Sequence, residues 1–124
     1  MLCCAITRIY MTAMGAYYLY VNGRKVSTEY LAPGFTDYNS RIQVQTYDIT
    51  DYLKTGGNAL GIMLGKNWGR GRYGADNQGE GLYCDCYGIL AEAHILYEDG
   101  RKDFIGMPIC RDFEGLLDLL AEIR

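Results

Sequence analysis

Two stretches of this chain gather the side chains that could hold a ligand. Asp37 and Asn39 sit in the turn-rich segment LAPGFTDYNS, which starts at Leu31. Asn67, Trp68, Arg70, Tyr73, Asp76 and Asn77 crowd the glycine-punctuated stretch from Gly65 to Gly81. Trp68 and Tyr73 bring flat apolar faces; the others bring planar hydrogen-bonding groups. A sugar ring has apolar C–H faces and a rim of hydroxyls, so an aromatic platform ringed by Asp, Asn and Arg is its complement. Asp and Asn oxygens also suit Ca²⁺, a hard cation that prefers oxygen ligands, and Asp37 with Asn39 would hold it first. The same composition serves a loop with no ligand, in which the aromatics pack and the polar groups close turns. Residue types alone leave both readings open.

Other chemistry is weaker. Gly69-Arg70-Gly71-Arg72-Tyr73-Gly74 matches the dinucleotide fingerprint formally, but that motif works only where a strand turns into a helix, and the residues that follow, ADNQGEG, cannot form a regular helix. Asp37, Asp48, Asp51, Asp76 and Glu80 lie in or near loops, yet nothing selects a catalytic pair among them, and acids are common in turns for backbone reasons. His94 falls in a strand pattern with no nucleophile elbow near it. The 5 Cys are an odd number, and Cys84 and Cys86 are spaced too tightly for a zinc pair, so free thiols are expected. An enzyme in its own right is the least supported reading.

A chain of 124 residues makes one domain. A net charge of -3 leaves no basic surplus for phosphates, which argues against nucleic acid. No apolar run approaches a membrane span of about 20 residues. The opening Met1-Leu2-Cys3-Cys4-Ala5 lacks the shape of a secretory signal, which favours the cytoplasm.

The loops need a scaffold, and 12 Tyr and 16 Gly against 2 Pro point to β-structure with elaborate turns. Thr7, Ile9, Met11 and Ala13 alternate with Arg8, Tyr10 and Thr12, and Gly15 breaks the run. Tyr17, Leu19 and Val21 then face away from Tyr18 and Tyr20. Asn22-Gly23 signals a type I′ hairpin returning through Lys25-Val26-Ser27. Strands are expected over Ile42–Ile49, with a helical turn after it capped by Thr50, over Ala59–Leu64, and within Tyr83–Tyr97, which turns at Glu98-Asp99-Gly100-Arg101 into a strand from Lys102 to Ile105. Short strands joined by such turns predict an all-β antiparallel sandwich. The tail is expected to differ: Phe113, Leu116, Leu117, Leu120 and Ile123 recur at helical spacing behind Asp112, giving a short C-terminal amphipathic helix. The organisation is thus a sandwich over 1–106 and a helical tail over 107–124 that covers a face or edge, or serves as a partner surface.

Four blocks in order make the pattern familiar: Ile9–Gly15 with Tyr20–Gly23, Leu31–Tyr38, Gln45–Thr50, and Gly65–Gly71. Together they resemble the N-terminal β-sandwich of bacterial α-L-rhamnosidases, whose usual pattern runs close to T-A-x-G-x-Y-x-x-x-x-N-G, L-x-P-G-W-T-D-Y, Q-Y-x-T-Y-D-V-T and G-x-G-W-Y-x-G. Phe35 stands where the family has Trp, and Gly69 where an aromatic is common. The resemblance implies a jelly-roll-like accessory module, similar to carbohydrate-binding modules and itself non-catalytic, with the hydrolytic carboxylates on a separate helical barrel. It also implies a rhamnose-containing saccharide as ligand, with Ca²⁺ assisting in some relatives. Asp37 and Asn39 fall in the family's first loop and Trp68 in its last block. Expected partners are that sugar, a glycosidase catalytic domain, or a second copy of the chain. The alternative is a structural or interaction domain with no sugar site.

Overall fold

The computed structural model describes residues 4–67, 87–111 and 117–123, with side chains over 4–67 and 87–106. Its strands are β1 (Cys4–Met14), β2 (Ala16–Val21), β3 (Arg24–Lys25), β4 (Gln45–Asp48), β5 (Asn58–Gly65), β6 (Tyr87–Tyr97), β7 (Lys102–Arg111) and β8 (Leu117–Ile123), with one 3₁₀ turn at Thr50–Tyr52. They form two four-stranded sheets, in the orders β4-β1-β6-β7 and β3-β2-β5-β8. Every pairing is antiparallel. The expected sandwich is what the chain forms.

Alternation builds the core. Ile9, Met11 and Ala13 of β1 and Ile89, Ala91 and Ile95 of β6 cluster with Leu19 and Val21 of β2 and Leu60, Ile62 and Leu64 of β5. A strand's side chains point to opposite faces in turn, so each period-2 apolar run delivers one buried row. Full burial of such an aliphatic side chain contributes about 1.5–3 kcal/mol.

Gly15 makes the corner at which the chain passes from the first sheet to the second. Its φ is +134°, and a Cβ there would lie 2.5 Å from the Gly65 carbonyl oxygen. Asn22 and Gly23 have φ of 51° and 79°, as a type I′ turn requires. The Asn22 side chain also does long-range work. Its Nδ2 donates to the Tyr52 carbonyl (2.9 Å) and to Asn58 Oδ1 (2.8 Å), and its Oδ1 accepts from the Ala59 amide (3.0 Å).

Three expectations need correction. The helical turn at Thr50–Tyr52 has no side-chain cap. Thr50 Oγ1 instead accepts from the Thr7 amide at 2.9 Å, tying the turn to β1, while Asp48 Oδ1 accepts from the Thr50 amide at 3.0 Å. The Thr50 hydroxyl, which donates to the same Asp48 oxygen, and after it the Thr50 amide hold the exposed Asp48 carboxyl below its ordinary pKa. The strand expected over Ile42–Ile49 is shorter, Gln45–Asp48. Third, the expected C-terminal helix is a strand over Leu117–Ile123, paired to β5 from Leu64↔Leu117 to Asn58↔Ile123. Leu117, Leu119, Ala121 and Ile123 alternate with Asp118, Leu120 and Glu122, so the segment carries a period of two as well as one of 3.6. A β5 edge without a neighbour would leave a row of unpaired N–H and C=O groups, and that demand selects the strand.

Candidate functional site

The Leu31 loop is fastened to the sandwich at its base. The Tyr17 amide donates to the Ala32 carbonyl at 3.0 Å, and Gly34 N–H donates back to the Leu31 carbonyl at 3.0 Å. Leu31 takes φ +60° and the Ala32–Pro33 peptide is cis. From the opposite sheet, Gln45 Nε2 donates to the Pro33 carbonyl at 3.0 Å. Register explains how Gln45 arrives there. It pairs with Met11 and Tyr47 pairs with Ile9, so both β4 side chains share the inward face of β1 and reach across to β2.

A tyrosine network completes the fastening. Tyr17 OH donates to Gln45 Oε1 at 2.9 Å and lies 3.1 Å from the Tyr47 hydroxyl, which is 3.3 Å from Glu29 Oε2. Two hydroxyl protons serve three contacts: the Tyr47 proton goes to Glu29, and the Tyr17 proton is shared between Gln45 and Tyr47. Burial raises the pKa of Tyr17 first, and its bond to Tyr47 adds to the rise; burial likewise raises Tyr47. The sign of the consequence follows. The folded chain keeps protons that the unfolded chain releases above about pH 10. Stability from this pair is therefore complete below that pH and falls as pH rises beyond it. Tyr17→Phe is expected to cost about 1–2 kcal/mol at neutral pH, because Gln45 loses its donor, and to flatten the alkaline fall. Urea unfolding at pH 8 and at pH 11 measures both; an equally steep fall in the variant would assign the effect elsewhere.

Among the sequence candidates, Asp37 is exposed and closes its own turn. Its carboxylate accepts from the Asn39 amide at 3.2 Å and from Ser40 Oγ at 3.0 Å, and its carbonyl accepts from the Ser40 and Arg41 amides. Asn39 is exposed beside it. Tyr38 folds back to donate to the Gly34 carbonyl at 2.7 Å. Asn67 is half-buried, and its Nδ2 is buried without a hydrogen-bond partner. Trp68, Arg70, Tyr73, Asp76 and Asn77 lie outside the described residues. The two loops begin side by side: Leu31 and Gly65, with Ala16, Tyr17, Tyr18 and Met63, line one pocket of about 140 Å³.

The Ca²⁺ expectation meets this geometry poorly. The ion takes 6–8 oxygens. The described loop offers one carboxylate, both of whose oxygens already accept bonds from its own turn. No group of three or more His, Cys, Asp or Glu is placed to hold a metal among the described residues. The described part of the loop does not by itself fit the ion.

Sequence reasoning missed Tyr17, Gln45 and Tyr47 as the loop's supports. The available signal was a glutamine and two tyrosines at inward-facing strand positions, since a buried hydroxyl or amide must find a partner.

Comparison with known proteins decides the family. The model of the α-L-rhamnosidase N-terminal domain matches residues 4–107. The chain belongs to this family. An α-L-rhamnosidase of Streptomyces avermitilis is 40% identical over 98 residues, which are 79% of this chain and 9% of that protein. One from Formosa agariphila is 40% identical over 104 residues, 79% of this chain and 10% of that protein. Among solved structures, native α-L-rhamnosidase from Aspergillus terreus superposes with a TM-score of 0.79 at 37% identity, covering 82% of this chain and 12% of that one. The Streptomyces avermitilis α-L-rhamnosidase complexed with L-rhamnose gives 0.79 at 35% identity, covering 88% of this chain and 11% of that one. The chain thus spans about a tenth of the length of the curated relatives it matches. What it shares with them is the rhamnosidase N-terminal domain, a small part of a glycosidase.

Proposed function

We propose that this rhamnosidase N-terminal domain is a non-catalytic carbohydrate-binding unit that takes L-rhamnose or a related sugar where the Leu31 loop meets the Gly65–Asn67 turn. The observation that carries this reading is the pocket shared by Leu31 and Gly65, with the Asn67 amide nitrogen two residues on, buried and lacking an acceptor. L-Rhamnose is a 6-deoxy sugar, so its methyl group and C–H face suit an apolar pocket edged by tyrosines, while a hydroxyl oxygen suits an unpaired amide N–H. The Streptomyces avermitilis relative solved with L-rhamnose gives the reading its sugar. In a longer polypeptide or an assembly, the partner would be a glycosidase catalytic domain. A packing domain without a sugar site is the competing reading, and the engagement of Asp37 in its own turn favours it.

Calorimetry separates the two. L-Rhamnose is expected to give saturable heat in the millimolar range, titrated with Ca²⁺ and with chelator so that any metal dependence is read directly. Asn67→Ala is expected to weaken binding by up to about tenfold, the worth of one hydrogen bond of roughly 1.4 kcal/mol. No heat at millimolar sugar in either arm would leave the packing domain.

A further inference from the structure

The outer face of the β4-β1-β6-β7 sheet carries a second set of groups that the loop site does not use. An open groove of about 410 Å³ runs over it, lined among others by Ile6, Arg8, Tyr10, His94, Lys102 and Phe104. That volume falls in the range of roughly 300–1,000 Å³ that takes small ligands.

Register sets the arrangement. Arg8 of β1 stands opposite His94 of β6, and His94 stands opposite Phe104 of β7, so the three form one row across the sheet. His94 meets its aromatic neighbours edge to face: its ring lies 5.1 Å from Tyr10 at 73° and 5.3 Å from Phe104 at 89°. Phe104 is held from below as well. A Cβ on Gly106 would lie 3.3 Å from two carbons of its ring, so the ring packs closely over the Gly106 backbone and a side chain there would push it aside. The residue nonetheless remains 60% exposed. An anchored phenyl ring open to water in the lining of a groove is a stacking surface.

The rim is mixed in charge. Arg8 and Lys102 are donors. Glu92, 3.4 Å from His94 Nε2, is an acceptor on the same face. Asp48 pairs with Arg8 across β1 and β4. Cations and carboxylates offset each other, so the face does not select an ion. It suits a ligand that carries donors and acceptors together around an apolar face. We infer that this groove is a saccharide subsite, separate from the loop pocket, which stacks the C–H face of a neutral pyranose on Phe104 and engages its hydroxyls with Arg8 and Lys102. The inference rests on reading the chain as a carbohydrate-binding domain and adds a second contact surface to it.

The test is a titration of the ¹⁵N-labelled full chain with rutinose, a neutral rhamnose-terminated disaccharide, followed by NMR. Amides of the Tyr10, His94 and Lys102–Gly106 region are expected to shift in the millimolar range. Phe104→Ala, a change at an exposed site, is expected to weaken those shifts about tenfold while leaving shifts at the Leu31 loop in place. Gly106→Val, which displaces the ring without deleting it, is expected to do the same. Shifts confined to the loops and indifferent to Phe104→Ala would overturn the subsite and leave the proposed function standing. No shifts anywhere would overturn both. A dimer in light scattering that Phe104→Ala converts to monomer would overturn it in favour of self-association.

Discussion

Gly15→Ala is expected to destabilise the domain by about 3–5 kcal/mol, more than any ordinary surface change. Two effects act at one atom. The residue sits at φ +134°, where an L side chain is strained, and its new Cβ would lie 2.5 Å from the Gly65 carbonyl oxygen and 3.1 Å from Leu64 Cδ1. The obstacle is backbone, so no rotamer change relieves it. Either the corner opens or β5 withdraws, and β5 is held to β2 by the register from Val21↔Leu60 to Ala16↔Gly65. Thermal unfolding should show the midpoint falling by the order of 10 °C. A loss below 1 kcal/mol would mean that the corner does not pass this close to Gly65. The variant should also weaken the proposed rhamnose binding, because Gly65 lines the pocket assigned to it.

Asn58→Ala should cost about 3 kcal/mol, through hydrogen bonds rather than packing. The side chain is 7% exposed and spends both ends. Its Oδ1 accepts from the Lys54 amide and from Asn22 Nδ2, both at 2.8 Å. Its Nδ2 donates to the Lys54 and Gly56 carbonyls at 2.8 and 3.1 Å. Truncation frees the loop before β5 and removes one anchor of the Asn22 hairpin. Asn58→Asp is the informative companion: it keeps the acceptor but sets a carboxylate oxygen against two carbonyls, and should be at least as damaging at neutral pH. Urea unfolding of both variants tests this. An aspartate variant as stable as the parent would show that the donor bonds contribute nothing.

What could be read from the sequence followed period and turn chemistry. Ile9, Met11 and Ala13, then Leu19 and Val21, then Leu60, Ile62 and Leu64 announced their inward faces because alternation is a local property. Asn22-Gly23 announced its hairpin for the same reason. Leu117–Ile123 misled because two periods coexist in it and the deciding factor, an unfilled β5 edge, lies elsewhere in the chain. The loops were visible through composition, but their fastening was not: Tyr17, Gln45 and Tyr47 meet across separations of about 30 positions, and nothing near any of them names its partner. Asp37 drew attention as a ligand through its type; that its carboxylate also closes its own turn is visible only in the structure.

Strand direction has a last consequence. β1 starts at Cys4 and reaches the Gly15 corner only after its full length, roughly 35 Å of extended chain. β8 runs the other way, from Leu117 beside Leu64 to Ile123 beside Asn58. Both described ends therefore lie at the pole remote from the Leu31–Gly65 pocket. Anything attached at either described end would hold the domain by its base and leave the Leu31–Gly65 pocket clear of the point of attachment.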